Sequence, residues 1–120
     1  MRTRPYSTPN KQALGQQAEQ RTAQWLQERG WHIAQRNWRH GRLEIDLIAH
    51  KAGMWLAVEV KYLQNPDEDA QTWIRPLQID RLKRAMLAYA VQHHIRHWQL
   101  DLIVWCKNLA QPMHHSTLYP

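Results

Sequence analysis

The sequence predicts a single α/β domain, a mixed central sheet flanked by helices in the order α-β-β-β-α-β, over residues 1–120. Two stretches carry apolar residues at helical spacing, and four others are strand-length apolar runs. A chain of 120 residues builds one core and has no room for a second. Elements alternating in this way favour a sheet covered by helices over a bundle or a sandwich.

Residues 1–8 are polar with prolines nearby and are expected to form a loose arm. A helix starts near "TPN", where Thr8 or Asn10 can cap and Pro9 suits a first turn. It runs to about Arg29 and stops at Gly30, with Leu14, Ala18, Thr22, Trp25 and Leu26 as its buried face. "WHIAQRNW" (31–38) is the first strand and "RHGR" the turn after it. "LEIDLIAH" (43–50) and "MWLAVEVKY" (54–62) follow, joined by the short "KAG", a hairpin signal. "LQNPDEDAQTW" (63–73) is a polar loop containing Pro66. "RPLQIDRLKRAMLAYAVQHH" (75–94) is the second helix, with Pro76 in its first turn, and "WQLDLIVWC" (98–106) the last strand. Residues 107–120 have weak periodicity and are expected to be an irregular tail.

Hydrophobic residues make up 43% and charged residues 22%, which excludes a disordered or fibrous chain. No apolar run reaches the length of a membrane span, and "MRTRPYSTPNK" lacks the apolar middle of a signal peptide. The single cysteine, Cys106, excludes an internal disulfide framework and fits a reducing compartment. A cytoplasmic protein without a membrane partner is the expectation. The net charge of +6 suits an anionic partner, nucleic acid first. The blander alternative is a protein that is merely basic. Core packing accounts for most of the seven tryptophans, with Trp38 among basic residues the exception.

The hairpin carries the chemistry. Side chains alternate between the faces of a sheet, so Ile45, Leu47 and Ala49 share one face and Glu44, Asp46 and Ile48 the other. In the next strand Leu56, Val58 and Val60 face the core, opposite Trp55, Ala57, Glu59 and Lys61. Pairing as a hairpin brings Asp46, Glu59 and Lys61 together. Unpaired buried charges are costly, so such a cluster is solvated, internally paired or built around a metal. One reading is an ion pair from Lys61 to Asp46 or Glu59 across the strands. The other is a Mg²⁺ or Mn²⁺ site, since two carboxylates, water and a phosphate oxygen suit a hard cation. A lysine beside it then positions the attacking water or stabilises charge on the phosphate. Glu19 falls at or beside the buried face of the first helix, and Gln78 shares a face with Leu82, Ala85 and Tyr89 in the second. Each is either a satisfied boundary residue or a further part of the same site.

The order Glu19, Asp46 in "EIDLIA", "EVK" at 59–61, then Gln78 resembles the restriction-endonuclease-like superfamily, whose core motif is Asp followed by Glu-x-Lys. Within it the chain resembles the YraN family of small bacterial endonuclease-like proteins, related to archaeal Holliday junction resolvases. "AEQRTAQWLQERGW", "RNWRHGRLEIDLIA", "LAVEVK", "QIDRLKRAMLAYA" and "LDLIVW" carry the likeness, over about residues 14–105. The resemblance implies that Asp46 and Glu59 hold a divalent cation with the main-chain carbonyl of Val60, and that Glu19 assists. It further implies that Lys61 activates water and that Gln78 orients Lys61 or a phosphate. Leu43 stands where the family usually has glycine before Glu44. "KYL" replaces the usual lysine, threonine and arginine, so an arginine is missing after Lys61.

The implied activity is Mg²⁺- or Mn²⁺-dependent hydrolysis of DNA phosphodiesters, branched or structured DNA included. The alternative is a non-catalytic nucleic-acid-binding module on the same fold, which the missing arginine favours; a third is a protein-interaction domain with a structural acidic cluster. DNA is the expected partner ahead of RNA, and a homodimer stays open. In "RNWRHGR", Arg36, Arg39 and Arg42 suit backbone contacts and Trp38 base stacking, against the alternative of a solvated turn. "RLKR" (Arg81, Lys83, Arg84) reads as the wet face of the second helix, able to extend a basic rim. His93, His94 and His97 lack a nearby cysteine at zinc-site spacing. Asp101 is expected to face solvent or pair with an arginine. There is no Gly-rich phosphate loop or serine nucleophile elbow.

Overall fold

The computed structural model describes residues 10–64, 75–107 and 109–116. The expected arm at 1–8 and most of the polar loop lie outside them. The first helix, α1 (Lys11–Glu28), is capped by Asn10, whose side chain accepts the N–H of Ala13 at 2.8 Å. It ends at Gly30, where φ is +90° and a residue with a Cβ would be strained. Three strands follow: β1 (His32–His40), β2 (Leu43–Lys51) and β3 (Met54–Leu63). The second helix, α2 (Pro76–His93), opens on proline, with the Gln78 side chain accepting the N–H of Arg75 at 3.3 Å. It closes on His94 in the left-handed conformation, so His93 and His97 do not share a helical face. Strand β4 (Trp98–Cys106) then enters the sheet, followed by β5 (Met113–His115).

Two boundaries differ from expectation. Strand β1 runs two residues beyond Trp38, because Arg39 and His40 still find partners in Glu44 and Leu43. The tail is not wholly irregular: Met113–His115 pair antiparallel with the outer edge of β4. So short an element leaves no period to detect; it forms because an edge strand presents unpaired backbone groups.

The sheet order is β1-β2-β3-β4-β5, antiparallel except for the β3–β4 pair, which is parallel. A parallel pair needs a crossover, and α2 lies in it. Helix α1 packs Ala18, Ala23 and Leu26 against Leu47, Leu56, Val58 and Ile103. On the opposite face α2 packs Leu82, Met86 and Tyr89 against Ile48, Ala57 and Leu100. Both faces are therefore apolar, which is why β4 from Leu100 to Cys106 is buried throughout. No helix among the described residues is long and apolar enough to cross a membrane.

One buried polar pair fastens α1 to the sheet. The Trp105 indole N–H donates to the Thr22 hydroxyl at 2.7 Å, and that hydroxyl donates to the Ala18 carbonyl at 2.7 Å. Thr22→Val keeps the shape and leaves the indole N–H without an acceptor, at a cost of about 1–3 kcal/mol. A melting temperature several degrees lower is the expected result; an unchanged one would show that the hydrogen bond contributes nothing net.

Candidate functional site

The β2–β3 ladder runs from Lys51↔Met54 to Leu47↔Val58. One residue beyond it the Asp46 side chain takes over, its Oδ2 accepting the backbone N–H of Val60 at 2.8 Å. Here strict alternation fails. It groups Ile45 with Leu47 and Ala49, yet Ile45 packs with Ile48 and Ala57 on the α2 side. The ladder to β3 ends here while the ladder to β1 continues, with Ile45 opposite Trp38; Asn37 beside that pair has φ +52°, and Ile45 turns into the apolar cluster under α2. Asp46 itself is held at the opening between the strands.

Glu59 stands beside it on β3, half-buried, with the Lys61 ammonium 3.3 Å from its carboxylate. The cross-strand grouping of Asp46, Glu59 and Lys61 is thus present, and Lys61 pairs with Glu59. Burial raises the Asp46 carboxyl to about 7, helped by the charge of Glu59 and opposed by the Val60 N–H. Burial also raises Glu59, against the stabilising charge and hydrogen bond of Lys61. Two partly buried carboxylates with one lysine between them are short of positive charge.

Asp46, Glu59 and Glu44 line a cleft of about 280 Å³ with Gln78, Arg42 and Arg81. Gln78 therefore reaches the site, but its carbonyl oxygen is committed to the α2 N-terminus, leaving the amide N–H₂ to face a ligand. Lys61 lines a second cleft, of about 290 Å³, with Val60, Tyr62 and Lys11. Glu19 lies in a third, of about 260 Å³, with Arg36 and Asn37. Its carboxyl is raised by burial and by the nearby Asp46, and lowered by a hydrogen bond from Asn37. Glu19 feels the charge of Asp46 without lining the same cleft.

Among the described residues no group of three or more His, Cys, Asp or Glu side chains is arranged to hold a metal. Asp46 and Glu59 remain as a pair of hard oxygen donors. That donor set fits Mg²⁺, which is commonly bound by one or two carboxylates, with waters and substrate phosphate oxygens completing the octahedron.

The arginines of the β1–β2 region are dispersed. Arg36 is beside Glu19, Arg42 is in the main cleft, and Arg39 is exposed and paired with Glu44 at 3.6 Å. Trp38 is half-buried, its ring edge-on to Tyr89 at 5.2 Å and stacked with His40 at 5.9 Å. Packing against the core limits the ring face it can offer a base. Asp101 does not face solvent. It is fully buried and hydrogen-bonded to His114, Gln99 and Ser116. The correction has a physical source: a carboxylate in an apolar strand needs buried partners, and the tail brings two of them. Ser116 and Asp101 both contact the same nitrogen of His114, so the three cannot relay a proton through the ring.

One residue beside the site, Asn37, is not singled out by the sequence reading. Asn37 has φ +52°, and an asparagine inside a strand pattern is a signal for that conformation. Arg81, on the wet face of α2 and able to extend a basic rim by sequence, lies one helical turn after Gln78 and lines the main cleft.

Residues 18–105 match a family described as "Uncharacterised protein family UPF0102". The chain belongs to this family. It is the YraN family that the sequence resembles. A UPF0102 protein of Nitratidesulfovibrio vulgaris strain DP4 is 41% identical over 83 residues, covering 65% of this chain and 61% of its own. One from Parasynechococcus marenigrum strain WH8102 is 35% identical over 98 residues, covering 78% and 69%. One from Shewanella loihica is 34% identical over 87 residues, covering 72% and 73%. The span matched to UPF0102 holds every residue of the main cleft and leaves β5 outside.

Proposed function

We propose that this UPF0102 protein is a divalent-cation-dependent endonuclease acting on DNA phosphodiesters, branched or structured DNA included. The observation that carries the reading is the pair Asp46 and Glu59, with raised carboxyl pKa values, at the opening of β2 from β3, with Lys61 3.3 Å from Glu59. A protein with no use for such a pair would gain by replacing it with apolar residues.

Asp46 and Glu59 would hold Mg²⁺ or Mn²⁺, with the Val60 carbonyl and, at longer range, Glu19. The cation would supply Lewis-acid neutralisation of charge on the phosphoryl oxygens. The Val60 N–H fixes the Asp46 carboxylate in one orientation, so little reorganisation is needed when substrate enters. Lys61, aligned by Glu59, orients the attacking water and stabilises negative charge as the phosphate reaches its transition state. Gln78 offers its amide N–H₂ to a phosphate oxygen from the α2 side.

The test is cleavage of four-way junction, flap, duplex and single-stranded DNA with Mg²⁺ or Mn²⁺. Cleavage that chelator stops is expected. No cleavage of any form with either metal would sink the nuclease and leave the binding module, the reading that Leu63 in place of an arginine favours.

Binding is expected to be electrostatic and weakly sequence-specific, given the net charge of +6. Affinity for duplex DNA should fall by about 0.9 log unit per log unit of salt for each neutralised phosphate. Changing Arg36, Arg39 and Arg42 together to alanine should flatten that slope, with Arg39 contributing least because Glu44 already pairs with it. A slope unaltered by the triple change would place the contact surface elsewhere.

A further inference from the structure

We propose that Arg81, acting with Arg42, grips the substrate phosphate in the Asp46–Glu59 cleft. The inference rests on the nuclease reading and adds to it the residue that holds the substrate. Arg42 comes from the turn after β1 and Arg81 from the second turn of α2, yet both line the cleft that holds the two carboxylates. Two elements far apart in sequence thus contribute an arginine each to the lining of one cleft.

These guanidinium groups are uncommitted where their neighbours are not. Arg39 is paired with Glu44 at 3.6 Å, and Arg84 with Asp80 at 3.1 Å. Neither Arg42 nor Arg81 forms an ion pair among the described residues. In α2 the Asp80 carboxylate turns to Arg84, one helical turn on, which leaves Arg81 available to the cleft.

The charge balance says what the cleft would take. Glu44, Asp46 and Glu59 face Arg42 and Arg81, so an anion alone meets repulsion from the carboxylates. A divalent cation held by Asp46 and Glu59 would reverse that excess, and Arg42 and Arg81 would then be free to bind the phosphodiester. Arginine suits this task because its planar fork of N–H donors matches two phosphate oxygens at once. Lys61, paired with Glu59, serves the attacking water and the developing charge, and a single ammonium does not offer the two-pronged grip of a guanidinium. Tyr62, the next residue, brings no charge there.

The test compares wild type, Arg81→Ala, Arg81→Lys and Arg84→Ala. The readouts are equilibrium binding of labelled duplex and four-way junction DNA with Ca²⁺ at several salt concentrations, and thermal melting. Loss of one charge-assisted contact predicts that Arg81→Ala weakens binding by roughly 10-fold or more. The salt slope should fall by about 0.9. Arg81→Lys should recover the slope without the full affinity, and Arg84→Ala should bind as wild type does. All should melt together, because both side chains are exposed. If Arg81→Ala binds like wild type, or Arg84→Ala loses as much as Arg81→Ala, the clamp is overturned while the nuclease reading stands. If wild type binds neither DNA form, the nuclease reading itself fails and the clamp with it.

Discussion

Lys61→Ala is expected to lower metal-dependent DNA cleavage by roughly 10²–10³-fold while leaving the fold and cation binding largely intact. A preorganised charge aimed at developing negative charge typically supplies a factor of that size. The side chain is half-buried near the end of β3, and its removal leaves the apolar contacts of Val58 and Tyr62 in place. The variant does remove the charge that holds down the Glu59 pKa, so Glu59 should titrate higher. Single-turnover cleavage alongside thermal melts separates the alternatives. A structural ion pair predicts the reverse pattern, with a clear fall in melting temperature and no activity to lose.

Asp46→Asn is expected to stabilise the protein at neutral and alkaline pH while abolishing divalent-cation binding. Asp46 has a folded-state pKa of about 7 against an ordinary value of 3.8. The folded protein therefore holds this proton more tightly than the unfolded chain. The associated stability is fully present below pH 3.8 and is lost progressively as pH rises through about 7. Above that, the ionised carboxylate is a cost on the order of a few kcal/mol. Asparagine keeps an oxygen for the Val60 N–H and carries no charge to repel Glu59. The advantage in melting temperature of Asp46→Asn over wild type should grow from pH 4 to pH 7 and then level off. Mn²⁺ should erase that advantage by stabilising wild type alone. Parallel pH profiles for the two proteins would show that Asp46 is not under this strain.

The sequence exposes this site because the charges interrupt a pattern. In "LEIDLIA" and "LAVEVKY" a period of two residues fixes which side chains share a face, so Asp46, Glu59 and Lys61 stand out against their apolar neighbours. The helices are equally legible, since Asn10, Gly30 and Pro76 act through the local backbone. What the sequence hides depends on contacts between distant segments. Ile45 breaks alternation where the β3 ladder has stopped and Asn37 of the neighbouring β1 leaves the extended conformation, which nothing in the sequence of β2 records. Glu19 lies on the predicted side of α1, but the way α1 meets β1 gives it a cleft of its own with Asn37. Burial of Asp101 depends on His114 and Ser116, delivered by a three-residue strand with no period of its own. Arg81 is exposed and polar by pattern, and only the pose of α2 on the sheet directs it to the carboxylates.

The central claim is that Asp46 and Glu59 together hold a divalent cation. Calorimetric titration of Mn²⁺ into wild type, Asp46→Ala and Glu59→Ala tests it most directly, with no reliance on substrate or turnover. One site in wild type, lost in each variant while both remain folded, is the predicted result. Mn²⁺ binding that persists unchanged in both variants would contradict the account and leave Lys61 and Glu59 as a plain ion pair in an amphipathic hairpin.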